Sequence, residues 1–146
     1  MILTYKYRIK DKSAKKALRA HAYAVNQVWN YLVGYQRDIE SRYRAGAKKC
    51  NWPSHFTFVG LTAGSSKELA IHAHTIQNIC HRFVVSRDKI KRSPGFRASG
   101  GSRRALGWVP FQKQSRQTEG NSITYLGKRY RFWEGRRPLP ETAKGG

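Results

Sequence analysis

Eight carboxylates, Asp11, Asp38, Glu40, Glu68, Asp88, Glu119, Glu134 and Glu141, are the chain's whole acidic complement. Cleaving a phosphodiester with two hard cations needs several of them converging, because such ions take oxygen ligands and clamp both the attacking and the leaving oxygen. Here they are scattered, and Asp38 and Glu40, two apart, diverge around a helix. No catalytic carboxylates are expected. Thiols and imidazoles come next: Cys50 and His55 share a loop, and Cys80 adjoins His81, with His72 and His74 one to two turns earlier. No Cys-x-x-Cys pair exists, and neighbours at 80 and 81 point apart on a helix. The expectation is a buried Cys80, histidines at the surface or facing nucleic acid, no metal, and no Cys/His nucleophile.

The basic residues carry the strongest signal. Lys and Arg number 29 against 8 acids, a formal net charge of +21, so the folded chain repels itself until a polyanion screens it. Lys6, Arg8 and Lys10 open the chain; Arg92, Arg97, Arg103 and Arg104 lie in a Ser/Gly context, with Lys113, Arg116, Lys128, Arg129 and Arg131 downstream. Their interleaving with aromatic-bearing elements points to phosphate contact, and a nucleic-acid partner is expected rather than an anionic membrane. No apolar run approaches the roughly 18–20 residues of a spanning helix, and the opening residues lack the apolar core of a signal peptide, so a cytoplasmic protein with two free thiols is expected.

One domain, or a small domain with an insertion, suits 146 residues, and 39% hydrophobic with 12% aromatic residues supplies a core. Residues 1–10 alternate, with Leu3, Tyr5, Tyr7 and Ile9 on one face and a mainly basic face opposite, which predicts a strand. Asp11 to Ser13 break the pattern, with Ser13 as a helix cap. The spacing of Leu18, Ala22, Val25, Trp29, Leu32, Ile39 and Tyr43, with Gln36 the one polar intruder, predicts a helix over 14–44. On it Trp29 reads as core, and Asn30 as either a polar contact or part of a solvated face. Residues 54–66 read as a loop or partial helix. A Ser65/Glu68 capping box then opens a second helix over 66–90, with its stripe on Leu69, Ala73, Ile76, Ile79, Cys80, Phe83 and Ile90. Gln77 and Asn78 sit beside that stripe. Residues 91–104 form a basic linker; strands follow over 106–109, 123–126 and 129–133, the last two joined by a turn at Gly127-Lys128. The first strand has no hairpin partner nearby and must pair with the C-terminal strands. The layout is α+β: a small barrel-like sheet from residues 1–12 and 105–135, a helical insertion over 13–90, and a flexible tail over 136–146.

Five stretches resemble the N-terminal half of TnpB, the transposon-associated RNA-guided nuclease family ancestral to type V CRISPR effectors. They are Tyr5-Lys6-Tyr7-Arg8-Ile9, Val28-Trp29-Asn30, Thr75-Ile76-Gln77-Asn78, Pro94-Gly95-Phe96-Arg97 and Leu106-Gly107-Trp108-Val109, in the family's order over about residues 3–133. Pro94-Gly95 departs from the family's Phe-Pro. The resemblance implies a wedge (OB-like) β-barrel with an inserted helical recognition domain. It implies binding of a guide RNA and of a target DNA duplex, with recognition of a short target-adjacent motif by Gln77, Asn78 and His74, and by Phe56 and Thr57 in the preceding loop. Backbone contacts would come from Arg82 and the basic residues above. The family's RuvC nuclease domain and four-cysteine zinc element would follow the barrel, so this chain is expected to be non-catalytic and without a cofactor. Mg²⁺ belongs to that nuclease half, whether encoded separately or deleted. A prokaryotic cytoplasmic, nucleoid-associated location goes with this reading. The alternative from composition is a free-standing DNA-binding regulator or transposon-end binder that uses no RNA.

Overall fold

A stripe spaced four and three residues apart makes α1 (Lys12–Arg44) and seats it on the core: Ala22, Val25, Trp29 and Leu32 are buried. Burial of side chains of the larger kinds is worth about 1.5–3 kcal/mol each. Beyond Gln36 the stripe comes to the surface, and Tyr43 is exposed. The computed structural model describes residues 7–46, 48–104, 108–110, 116–119 (backbone) and 122–133. The elements after α1 are α2 (His55–Leu61), α3 (Ser65–Leu69), α4 (Ala73–Ile90), β1 (Arg116–Glu119), β2 (Ser122–Tyr125) and β3 (Lys128–Arg131).

Two expected caps are not used. The residue capping α1 is Asp11, not Ser13, and its side chain makes no cap bond. Both its oxygens accept from Arg131, at 3.0 and 2.9 Å. The Ser65/Glu68 box is not formed either: Gly64, at φ +83°, starts α3, and Ser65 Oγ donates backwards to the Thr62 carbonyl at 2.6 Å. The region 54–66 does hold a helix, α2, capped by Ser54, whose hydroxyl accepts from the Thr57 N–H.

The helix expected over 66–90 is broken. Ala70 adopts a left-handed φ of 52°, Ile71 turns into the core, and α4 begins afresh after His72. The cause is distant in sequence: the His72 N–H donates to the Tyr125 hydroxyl at 2.9 Å, and that hydroxyl lies 2.7 Å from Thr75 Oγ1. Thr75 Oγ1 in turn donates to the Pro110 carbonyl, which orients the Tyr125 O–H toward Thr75. Ala73 is exposed, and the buried stripe of α4 is Ile76, Ile79, Cys80 and Phe83, ending in a buried Arg87.

Helices α1 and α4 run in the same direction. Trp29 meets Phe83 edge-on at 5.2 Å and, further along both, Gln36 Oε1 accepts from Arg87 Nη1 at 3.2 Å. Arg87 also donates to the Pro53 carbonyl at 2.6 Å and lies over the Trp52 ring, so its charge is buried with partners and not at an orphaned site.

The strands form an antiparallel meander, β1-β2-β3, with Ile123 opposite Tyr130 and Tyr125 opposite Lys128. The turn falls at Leu126-Gly127, one residue earlier than expected. Both residues have positive φ, 51° and 74°, the combination a two-residue hairpin of the right twist requires. Nothing in the wholly polar run Arg116–Glu119 marks strand β1 in the sequence. Of the strand expected over 106–109, Trp108 and Val109 are not in strand conformation, and 106 and 107 lie outside the described residues. The N-terminal segment pairs with the end of the sheet: Ile9 bridges Phe132, Lys10 N–H donates to the Arg131 carbonyl and Trp133 N–H to the Arg8 carbonyl, both at 2.9 Å. The described strands thus make an open sheet joined by the N-terminal segment; the remainder of the expected barrel, residues 1–6 and 105–107 included, and the tail over 136–146 lie outside the described residues. Leu18 packs against both the helical core and the smaller cluster of Ala14, Tyr125 and Tyr130, tying helices to sheet. Among the described residues no helix is long and apolar enough to cross a membrane.

Candidate nucleic-acid interface

Residues Gln77 and His81 stand one turn apart, both exposed on α4, while Phe58 holds α2 in the core below. The His55 ring meets the His81 ring edge-on at 5.5 Å, and Phe56 lies 5.4 Å from His55 and is 82% exposed. Through the His55–His81 contact α2, which carries Phe56, meets α4 one helical turn beyond Gln77. Burial, with His81 beside it, lowers the pKa of His55.

Asn78 is half-buried, and its Oδ1 accepts from Arg82 Nε at 3.3 Å. The Arg82 guanidinium lies 5.3 Å over the Trp108 ring. His74 is half-buried at the start of α4; its N–H donates to His72 Nδ1, and the two rings lie 4.7 Å apart. It is thus part of the helix cap. Gln77 is exposed and lies off the buried stripe of α4.

The basic residues divide by environment. Arg97 is half-buried, its guanidinium 3.9 Å from the Trp29 ring and 4.7 Å from Trp108, and burial, with Arg82 nearby, lowers its pKa. Its backbone is held by Asn30, whose amide donates to the Arg97 carbonyl at 2.8 Å and whose oxygen accepts the Arg97 N–H at 2.7 Å. Trp29 Nε1 donates to the Gly95 carbonyl at 2.9 Å and Asn26 Nδ2 to Ser99 Oγ at 3.2 Å, so the segment read as a linker lies fastened along α1. Beyond it Arg103 and Arg104 are exposed, next to a turn at Gly101.

On the sheet, Ile9, Tyr130 and Phe132 face the core or partly so, and Arg8, Lys10, Arg129 and Arg131 alternate with them on the exposed side. Lys10 Nζ lies 5.3 Å over the exposed Trp133 ring. Arg131 is paired with Asp11, which holds the Asp11 carboxyl below its usual range and raises the Arg131 pKa, so much of its charge is already engaged. Lys128 is half-buried opposite Tyr125. Lys6, Lys113 and the Arg116 side chain lie outside the described residues.

Cys80 is fully buried, its Sγ 3.7 Å from Thr62 Oγ1, and burial raises its pKa, so the thiol stays protonated; Cys50 is a separate free thiol. Among the described residues no group of three or more His, Cys, Asp or Glu is placed to hold a metal ion.

Comparison with known proteins gave no matching family model, no matching curated protein and no matching solved structure.

Proposed function

We propose that the chain is the wedge-plus-recognition part of a TnpB-like RNA-guided DNA-binding protein, non-catalytic by itself. The sheet's basic face would hold a guide RNA, and the exposed face of α4 would read a short DNA motif beside the target. The observation that supports the motif site is the run of ring contacts from Phe56 to His55 and from His55 to His81, which stands one helical turn from Gln77. An amide on an exposed helix is suited to adenine, which it can engage with two hydrogen bonds in the major groove, and α4 has the dimensions of an element that enters that groove. On the adjoining face of α4, Arg82, held by Trp108 and Asn78, supplies a positioned cation for phosphate. The exposed Arg8, Lys10, Arg129, Arg103 and Arg104 supply the charge that RNA requires.

Enrichment from a randomised duplex library, with the wild type and Gln77→Ala compared, tests the site. A bidentate amide–adenine contact is worth about 1–3 kcal/mol of discrimination. The variant is expected to lose that preference for the enriched motif while keeping its affinity for motif-free DNA and for RNA, since Gln77 adds no charge. Equal weakening on every sequence would make Gln77 a structural residue and remove the assignment.

A further inference from the structure

A cleft of about 570 Å³ opens where α1 and α4 end together, some 20 Å along α4 from Gln77 at 1.5 Å per residue. Arg37, Glu40, Ser41 and Arg44 line it from α1, and Ile90, Arg92, Ser93 and Gly95 from the other side. Its size falls within the range of small-ligand sites. Glu40 is the one acid in the lining, and its Oε1 accepts from the Gln36 amide at 3.2 Å. Arg37, Arg44 and Arg92 have no carboxylate partner among the described residues; the nearest ion pair on α1 joins Arg42 to Asp38. Three guanidiniums outnumber what Glu40 and the negative ends of two helices can balance, so the cleft attracts an anion with forked acceptors.

The second component is aromatic. Phe96 follows Gly95 out of the cleft and is 56% exposed, and the Arg37 guanidinium stacks 4.5 Å from its ring, leaving the rest of the ring accessible. An exposed ring fixed beside a cationic cleft is the combination that unpaired nucleotides use, base on the ring and phosphate on the cations.

We infer that this cleft binds single-stranded nucleic acid, seating one unpaired nucleotide with its phosphate among Arg37, Arg44 and Arg92 and its base against Phe96. This rests on the nucleic-acid reading above but concerns a different surface, and duplex contacts have no use for it.

Fluorescence anisotropy with a labelled ten-residue oligothymidylate and, separately, a labelled duplex at fixed salt tests the cleft. Phe96→Ala is expected to weaken single-strand binding about tenfold and leave duplex binding unchanged, with Phe96→Trp restoring the former. Arg92→Gln is expected to reduce the single-strand salt slope by about 0.7. Because Phe96 is largely exposed, the melting temperature of each variant should match the wild type. Equal loss on both probes, or no loss with Phe96→Ala, overturns the cleft while leaving the Gln77 site standing. Failure of the wild type to bind either probe overturns both.

Discussion

The side chain of Asn30 and the backbone of Arg97 exchange two hydrogen bonds, 2.8 and 2.7 Å, across 67 residues of sequence. One amide thereby serves segment 94–99 as a neighbouring strand would, and it fixes the Arg97 guanidinium between Trp29 and Trp108. Asn30→Ala leaves a part-buried N–H and carbonyl without partners, at about 1–3 kcal/mol for each group that stays unsatisfied. Urea unfolding should show that loss, and Trp fluorescence should report the released ring contacts. Unchanged stability would mean water replaces the amide at no cost.

Tyr125 joins the hairpin to the start of α4. Tyr125→Phe keeps the ring and removes the hydroxyl that accepts from His72 and bonds Thr75, so a destabilisation of about 1–3 kcal/mol is expected. Amide hydrogen exchange should accelerate at His72 and the first turn of α4 before it does in α1. Uniform acceleration throughout would show that the hydroxyl acts on global stability alone.

Much of this layout is legible from residue types. The stripe through Trp29, Leu32, Ile76 and Phe83 names the helical core, and alternation around Tyr125 and Tyr130 names the hairpin. The polar Gln36 in that stripe is answered by Arg87, a partnership 51 residues apart that no local pattern announces. The break at 70–72 is hidden for the same reason: its cause is Tyr125, and the local spacing from Leu69 to Ile79 suits a continuous helix. Of the basic residues expected at phosphate, Arg8 and Arg103 are exposed, whereas Arg97 is enclosed between rings; it and the buried Arg87, over Trp52, have partners that sequence alone does not bring together. For the candidate site, Phe56 and Gln77 are named through the resemblance, whereas the His55–His81 contact depends on how α2 packs on α4.

Stability should fall on acidification. Burial lowers the pKa of His21, against a hydrogen bond to the Ala70 backbone, and burial with neighbouring imidazoles lowers those of His55 and His72. A depressed pKa means the unfolded chain takes up protons first, so stability is full above the ordinary histidine pKa of about 6.5 and is lost as pH drops through the folded values. The melting temperature should be level from about pH 8 to 7 and decline below about 6.5, less steeply in His21→Gln. A flat profile down to about pH 5 would mean the three rings are solvated.

Arg103 and Arg104 are exposed and paired with no carboxylate among the described residues. Neutralising both to Gln should flatten the log affinity against log salt plot by roughly one to two units, since each phosphate contact contributes about 0.7–0.9. Titration at four salt concentrations measures it, and an unchanged slope would place the pair in solvent in the complex.

The nucleic acid that accompanies the purified protein bears most directly on RNA-guided binding. Extraction and sequencing should yield RNA of discrete length and sequence, and RNase treatment should abolish binding to duplex DNA that carries the guide's complement beside the motif, because base pairing with the guide supplies most of the sequence recognition. If no RNA copurifies and DNA affinity is the same before and after RNase, the protein binds DNA by itself and the RNA-guided reading is wrong.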